Sequence, residues 1–95
     1  MLSDSDKFVI KMNDCGMVGA SILPGDKLTV KRQRDAAVGE MVVAIYDGQP
    51  LIRWLGLMNN SLHLIPDNDS YIPVRGRDVT IIGKVVSMQR DLEIK

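Results

Sequence analysis

Short runs of apolar and β-branched residues, separated by turn-forming residues, cover most of the chain. The clearest runs lie at residues 7–12, 27–31, 41–46, 51–55, 61–65 and 79–88. Residues 27–31 alternate between polar and apolar positions, which is typical of a strand with one buried face. No window of about 11 residues carries a helical stripe, and the best place for a helical turn is residues 17–23. The pattern therefore predicts a mainly β protein.

The breaks between the runs consist of residues that favour tight turns. They are Asn13-Asp14, Pro24-Gly25-Asp26, Val38-Gly39-Glu40, Asp47-Gly48 and Asn59-Asn60. Asp47-Gly48 is a strong signal for a β-hairpin, because both residues tolerate the positive φ of a type I′ turn. About six or seven short strands at such intervals predict an all-β fold with a compact two-sheet or barrel-like arrangement.

Length and composition limit the classes of function. A chain of 95 residues forms one domain, so we expect a single domain over residues 1–95, with residues 1–6 flexible. Twelve basic and 12 acidic side chains balance, whereas a general nucleic-acid binder usually carries a basic excess. No apolar run is long enough for a membrane helix. One cysteine and one histidine exclude a four-ligand Cys/His zinc site and a disulfide, so we expect no metal or cofactor and a cytoplasmic location.

Six segments occur in the order and spacing of one known family. They are residues 14–17, 24–26, 39–44, 47–48, 64–68 and 82–86. Together they resemble the C-terminal peptidase-like domain of LexA-type repressors, UmuD-type proteins and many phage repressors. The resemblance extends from about Phe8 to Gln89 and implies the LexA-like peptidase fold.

That family cleaves peptide bonds with a serine nucleophile and a lysine base, and the resemblance places other residues at both positions. The serine position, counted back from the Gly25-Asp26 turn, matches Gly16. The lysine position, counted on from Asp47-Gly48, matches Arg53. Glycine has no nucleophile, and arginine stays protonated and cannot act as a base. The 15 residues before Gly16 also contain no Ala-Gly pair of the kind that self-cleaving members cut. The resemblance therefore implies an inactive peptidase homologue with vestigial positions Gly16 and Arg53.

The function that follows is a non-proteolytic oligomerisation and regulatory domain of a phage-type transcriptional repressor. A helix-turn-helix outside this chain would bind DNA, and self-association would raise the local concentration of two such units. The expected partners are a second copy of the chain and an antirepressor protein that releases the repressor without proteolysis.

Two alternatives remain open. One is an active self-cleaving peptidase of the same fold with a non-standard nucleophile, Cys15 or Ser21. A reactive thiol needs a base or positive neighbour, and the single histidine, His63, is expected to face solvent. The other is an unrelated small β-barrel module that binds peptides.

Two further features of the sequence carry hypotheses about contacts. Arg53 stands between two leucines on one strand face, which suggests a structural ion pair or a ligand for a carboxylate or carbonyl in a vestigial groove. The final run is too apolar for a freely exposed strand edge. In the resembling family the corresponding strand pairs across a two-fold axis. The predicted interface residues are Ile81, Ile82, Val85, Val86 and Met88.

Overall fold

The computed structural model describes residues 6–91 and shows a mainly antiparallel β protein. Its strands are β1 (Lys7–Lys11), β2 (Lys27–Arg32), β3 (Met41–Tyr46), β4 (Gln49–Met58), β5 (Ser61–Ile65), β6 (Val74–Arg75) and β7 (Thr80–Gln89). Two single turns of 3-10 helix, Val18–Ala20 and Gly76–Asp78, lie between the strands. The all-β prediction and the strand number are confirmed. The prediction of flexible residues 1–6 concerns mostly residues outside the described range.

The seven strands form one open sheet in the order β1-β2-β7-β3-β4-β5-β6. The predicted compact all-β fold class is confirmed, and within residues 6–91 β1 and β6 are the end strands of the sheet, since each pairs with only one neighbour. Every pairing is antiparallel. Long-range pairing of β7 with both β2 and β3 joins two groups of strands that would otherwise form separate sheets.

The two tightest connections follow from their turn residues. Asp47 and Gly48 have φ values of 51° and 77° and join β3 to β4. Asn59 and Asn60 have φ values of 53° and 64° and join β4 to β5. Two residues with positive φ match the right-handed twist of the flanking strands. The Asp47-Gly48 turn sets the register that places Arg53 opposite Val42.

The buried side chains form two separate hydrophobic clusters. The larger contains Met12, Met17, Ile22, Leu28, Val30, Val43 and Ile52. The smaller contains Val42, Ala44, Leu55 and Leu64. Adjacent residues of β3 belong to different clusters because successive side chains of a strand point to opposite faces. This explains why β3 and β4 read as nearly continuous apolar runs.

Strand β7 lies inside the sheet over part of its length. Its middle residues Gly83 and Lys84 pair with β2 on one side and with β3 on the other, whereas Thr80 and Ile81 pair with β3 alone. Ile82 and Val85 pack on the larger core cluster and Ile81 on the smaller. These contacts give part of the apolar run an intramolecular role. The five-residue interface stays a prediction, and its most exposed members are Val86 and Met88, at 44% and 39% exposure.

Candidate functional site

The loop after β1 forms one wall of the candidate site. Met12 accepts a hydrogen bond from the Gly25 amide and donates its own amide to the Asp26 carbonyl, both at 2.8 Å. Further along, the Asp14 carboxylate accepts the Gly16 amide at 2.8 Å, an Asx-turn that closes the loop on itself. Met17 is fully buried and anchors the loop in the core. Gly16 is thereby held against the body of the sheet.

Strand β4 provides the opposite wall and carries Arg53. Its neighbour Ile52 is completely buried, and Arg53 itself is only 3% exposed. The guanidinium meets the Asp14 carboxylate in two parallel contacts, Nη1 to Oδ1 at 3.2 Å and Nη2 to Oδ2 at 3.1 Å. Nη1 also donates to the Ile52 carbonyl at 2.7 Å. Bidentate pairing of this kind restrains a guanidinium in position as well as neutralising it.

Aromatic contact completes the surroundings of the guanidinium. The Arg53 Cζ atom lies 5.2 Å from the centre of the Tyr71 ring, within the range of a cation–π interaction. Its Nε is a buried nitrogen without a hydrogen-bond partner among the described residues. The ion-pair hypothesis for Arg53 thus has a defined geometry, whereas its role as ligand for a partner segment stays a prediction.

Gly16 and Arg53, which lie far apart in sequence, touch each other in the fold. An ideal Cβ built on Gly16 would overlap the guanidinium and lie 2.6 Å from Nη2. The φ of Gly16 is not in the left-handed region, so the backbone would accept another residue there. The arginine therefore occupies the volume that a side chain at position 16 would need.

A third segment, residues 66–71, holds the loop from the other side. The Asp67 amide donates to the Gly16 carbonyl at 2.8 Å, and the Asp67 carbonyl accepts the Gly19 amide at 2.8 Å. Trp54 Nε1 donates to the Asp67 carboxylate at 3.1 Å. Asn68 Nδ2 donates to the Cys15 carbonyl at 2.8 Å. The only tryptophan thus has a partner in this segment, and its ring packs on the larger core cluster.

Sequence reasoning did not single out Asp14, Asp67 or Tyr71 as members of this site. The only local signal for this site is the position of Asp14 two residues before Gly16, the spacing of an Asx-turn. Nothing local indicates Tyr71, whose hydroxyl accepts the Cys15 amide at 3.2 Å, because the two residues meet only through the tertiary fold.

The other candidate nucleophiles, Cys15 and Ser21, are not hydrogen-bonded to a basic side chain that could activate them in the described part of the chain. Cys15 has an exposed side chain, and within residues 6–91 no lysine or histidine is hydrogen-bonded to Cys15 or Ser21. His63 is half-buried, with Nδ1 3.0 Å from the Ser61 carbonyl oxygen. Residues 6–91 also contain no group of three side chains arranged to hold a metal ion, and none of their helices is long and apolar enough to cross a membrane.

A second ion pair, between Asp26 and Arg90, lies at the turn before β2. Asp26 is 3% exposed and accepts Arg90 Nε at 2.8 Å and Nη2 at 2.7 Å. It also accepts the Leu23 amide at 2.8 Å. The hydrogen bonds from Arg90, followed by that from Leu23, lower the pKa of Asp26 to about 2. Asp26 therefore stays ionised over the physiological range and ties the end of β7 to this turn.

Comparisons with known proteins identify the family of the chain. Residues 1–86 match the Peptidase S24-like family, and the chain belongs to this family. The resemblance inferred from the sequence motifs is confirmed. The alternative of an unrelated β-barrel module is therefore wrong.

Among curated proteins, the chain is similar to LexA repressors. It is 38% identical over 90 residues to that of Streptomyces clavuligerus and 37% identical over 90 residues to that of Streptomyces coelicolor. It is 32% identical over 92 residues to that of Mycobacterium leprae. These matches cover 95–97% of this chain but 38–39% of the relatives. The chain thus spans less than half of the length of the repressors it matches.

Proposed function

We propose that this chain is a non-proteolytic oligomerisation and regulatory domain of a phage-type repressor. The observation that carries the proposal is the contact between Gly16 and Arg53. At the position expected for the nucleophile there is only a hydrogen, and the guanidinium fills the space beside it. Its partner Asp14 holds the guanidinium in this position through an ion pair of 3.1 Å. A site built in this way offers neither a nucleophile nor a base.

The similarity to LexA repressors supports the repressor context. Since the chain corresponds to 38% of the first of these relatives, DNA recognition is assigned to a helix-turn-helix in another part of a longer repressor. The balanced charge of this chain agrees with a role that does not require phosphate contacts of its own.

The second half of β7 is the proposed surface for self-association. Residues 85–89 pair with β2 alone, because the ladder with β3 ends at Lys84. Val86 and Met88 are exposed beside this open edge. Pairing with the same strand of a second copy would satisfy the free backbone groups and cover both side chains. Two DNA-binding units joined in this way would bind two half-sites with a higher effective concentration.

Release from DNA then needs a mechanism other than self-cleavage. An antirepressor protein that binds this domain and separates its copies would lower DNA affinity by removing the linkage between the two half-sites. The expected regulation is therefore reversible, since no peptide bond is broken.

The direct test is incubation at neutral and at alkaline pH, followed by intact-mass measurement. Alkaline solution favours a lysine base where one exists, and we expect the chain to keep its full mass under both conditions. The Cys15→Ala variant, treated identically, serves as the control. A specific cut that disappears in Cys15→Ala would overturn the proposal and establish the alternative, a peptidase with a cysteine nucleophile.

A further inference from the structure

The hairpin of β4 and β5 extends the smaller core cluster into solvent. Its register pairs Leu55 with Leu64 and Leu57 with Leu62, so all four leucines lie on one face of the hairpin. Leu55 and Leu64 are buried, at 2% and 0% exposure, whereas Leu57 and Leu62 are 56% and 47% exposed. Two leucines directly opposite each other thus form an apolar ridge that is continuous with the core but uncovered.

A cleft of about 630 Å³ adjoins this ridge. Leu55, Leu62 and Ile81 provide its apolar lining, and Arg75, Arg77 and His63 its polar lining. No carboxylate is among the described residues that line it. The cleft therefore combines an apolar surface with basic groups, a combination that favours a ligand with both apolar side chains and negative charge.

A close backbone contact holds the arginines beside the ridge. The 3-10 turn Gly76–Asp78 approaches Leu62 so closely that a Cβ on Gly76 would lie 2.9 Å from the Leu62 carbonyl oxygen. Arg75 Nε contacts the Asp78 carboxylate at 3.2 Å, with both side chains largely in solvent. Within residues 6–91 Arg77 makes no ion pair, so its charge is available to a partner.

We propose that the Leu57–Leu62 ridge and the Arg75–Arg77 rim form a docking site for an acidic polypeptide segment with apolar side chains. A second copy of this chain fits the surface less well. Two-fold contact places a patch against itself, and here it would bring arginine-lined clefts together without a carboxylate in their lining. The site is remote in sequence from Gly16, and the proposal is independent of whether the family's proteolysis has been lost.

Titration of the ¹⁵N-labelled chain with a defined peptide tests this site. The probe is a capped pentapeptide of alternating glutamate and leucine, added to millimolar concentration. One control peptide has lysine in place of glutamate and the other has serine in place of leucine. We expect amide shifts at Leu57, Leu62 and Gly76 with the probe, and much smaller shifts with both control peptides.

Three variants connect the shifts to the surface. Arg77→Glu should weaken binding about threefold to tenfold, because it replaces an exposed attraction to the glutamates of the probe with a repulsion. Leu62→Ser should weaken it about tenfold through lost apolar contact. Lys11→Glu, an equal charge change on the exposed edge strand β1, should leave it unchanged within about twofold. The amide spectrum of each free variant shows whether the fold is retained.

Several results would overturn the docking proposal. These are no binding at millimolar probe, equal binding of the lysine peptide, or shifts confined to other strands. Conversion of a wild-type oligomer to a monomer by Leu62→Ser, observed by light scattering, would instead assign the face to a second copy. None of these results bears on the mass measurement proposed for the Gly16–Arg53 site, so the two proposals can fail separately.

Discussion

Gly16→Ala isolates the close contact on which the proposed loss of proteolysis depends. The added methyl would overlap the Arg53 guanidinium. The end of an arginine usually moves away easily, but this one is held by Asp14, by the Ile52 carbonyl and by the Tyr71 ring. The substitution must therefore either strain the loop or displace the guanidinium from its partners.

The expected effect is a loss of about 1–3 kcal/mol in the free energy of unfolding, the range for atoms forced into a packed site. Complete separation of a buried ion pair costs about 3–5 kcal/mol, but the Asp14 side chain is 26% exposed, so water would reduce the penalty. In an Arg53→Ala background the space is empty, and the same Gly16→Ala change should be neutral or stabilising by up to about 1 kcal/mol through reduced chain entropy.

The wild type, Gly16→Ala, Arg53→Ala and the double variant form a double-mutant cycle. Urea unfolding monitored by Trp54 fluorescence and by far-UV circular dichroism measures the free energy of unfolding of all four proteins. Trp54 is the only tryptophan and is hydrogen-bonded to Asp67 in the segment that faces the loop. Gly25→Ala is the matched control, because its φ of +91° makes it strained although no atom lies within 4 Å of the added Cβ. It should cost about 1–2 kcal/mol whether residue 53 is arginine or alanine.

Equal effects of Gly16→Ala in the two backgrounds would refute the reasoning, since the interaction energy of the cycle would then be zero. A stabilising effect in the presence of Arg53 would refute it as well. In that case the guanidinium would not occupy the space beside position 16, and the proposed loss of activity would rest on residue identities alone.

Three further predictions address the ion pair, the restored dyad and the β7 edge. Because the folded-state pKa of Asp26 is about 2, below its ordinary 3.8, its stabilising contribution is present above about pH 4 and is lost as pH falls through 2. Asp26→Asn should therefore lower the urea midpoint near pH 5, and the difference in midpoint between the variant and the wild type should become smaller near pH 2. Gly16→Ser combined with Arg53→Lys should produce little or no cutting of the 95-residue chain, measured by intact mass, because the serine needs a free cleft and the nearby carboxylate would keep the lysine protonated. Efficient self-cleavage would instead show a preformed cleft and an overlooked substrate segment. Val86→Asp should shift the chain towards monomer in light scattering with an unchanged β spectrum, whereas Val9→Asp, at a valine of β1 that is 61% exposed against 44% for Val86, should not. A wild-type monomer at tens of micromolar, the order of weak dimer affinities, would exclude the interface.

Much of the fold was determined by local sequence. Asp47-Gly48 and Asn59-Asn60 adopt the positive φ values that their residue types favour, and they define two hairpins without reference to the rest of the chain. The short helical turn within residues 17–23 also appears, as the 3-10 turn Val18–Ala20. These features depend on neighbouring residues, so the sequence alone was enough to predict them.

Strand order was decided by tertiary structure. The apolar sequence of β7 suits an interface and a central strand equally well, because both bury its side chains. In the fold, β7 pairs with residues of β2 and β3 that lie 35 or more positions earlier in the chain. Long-range pairing depends on the packing of the whole sheet and leaves no local mark in the sequence.

The same distinction holds for the candidate site. Sequence motifs identified Gly16 and Arg53 as the two positions of interest, because motif order is a linear property. Only the fold could show that Arg53 pairs with Asp14, 39 positions earlier, and that its guanidinium fills the space beside Gly16. The physical reason is that a buried charge must find its partner in space, and that partner becomes its neighbour only when the β1 loop packs against β4.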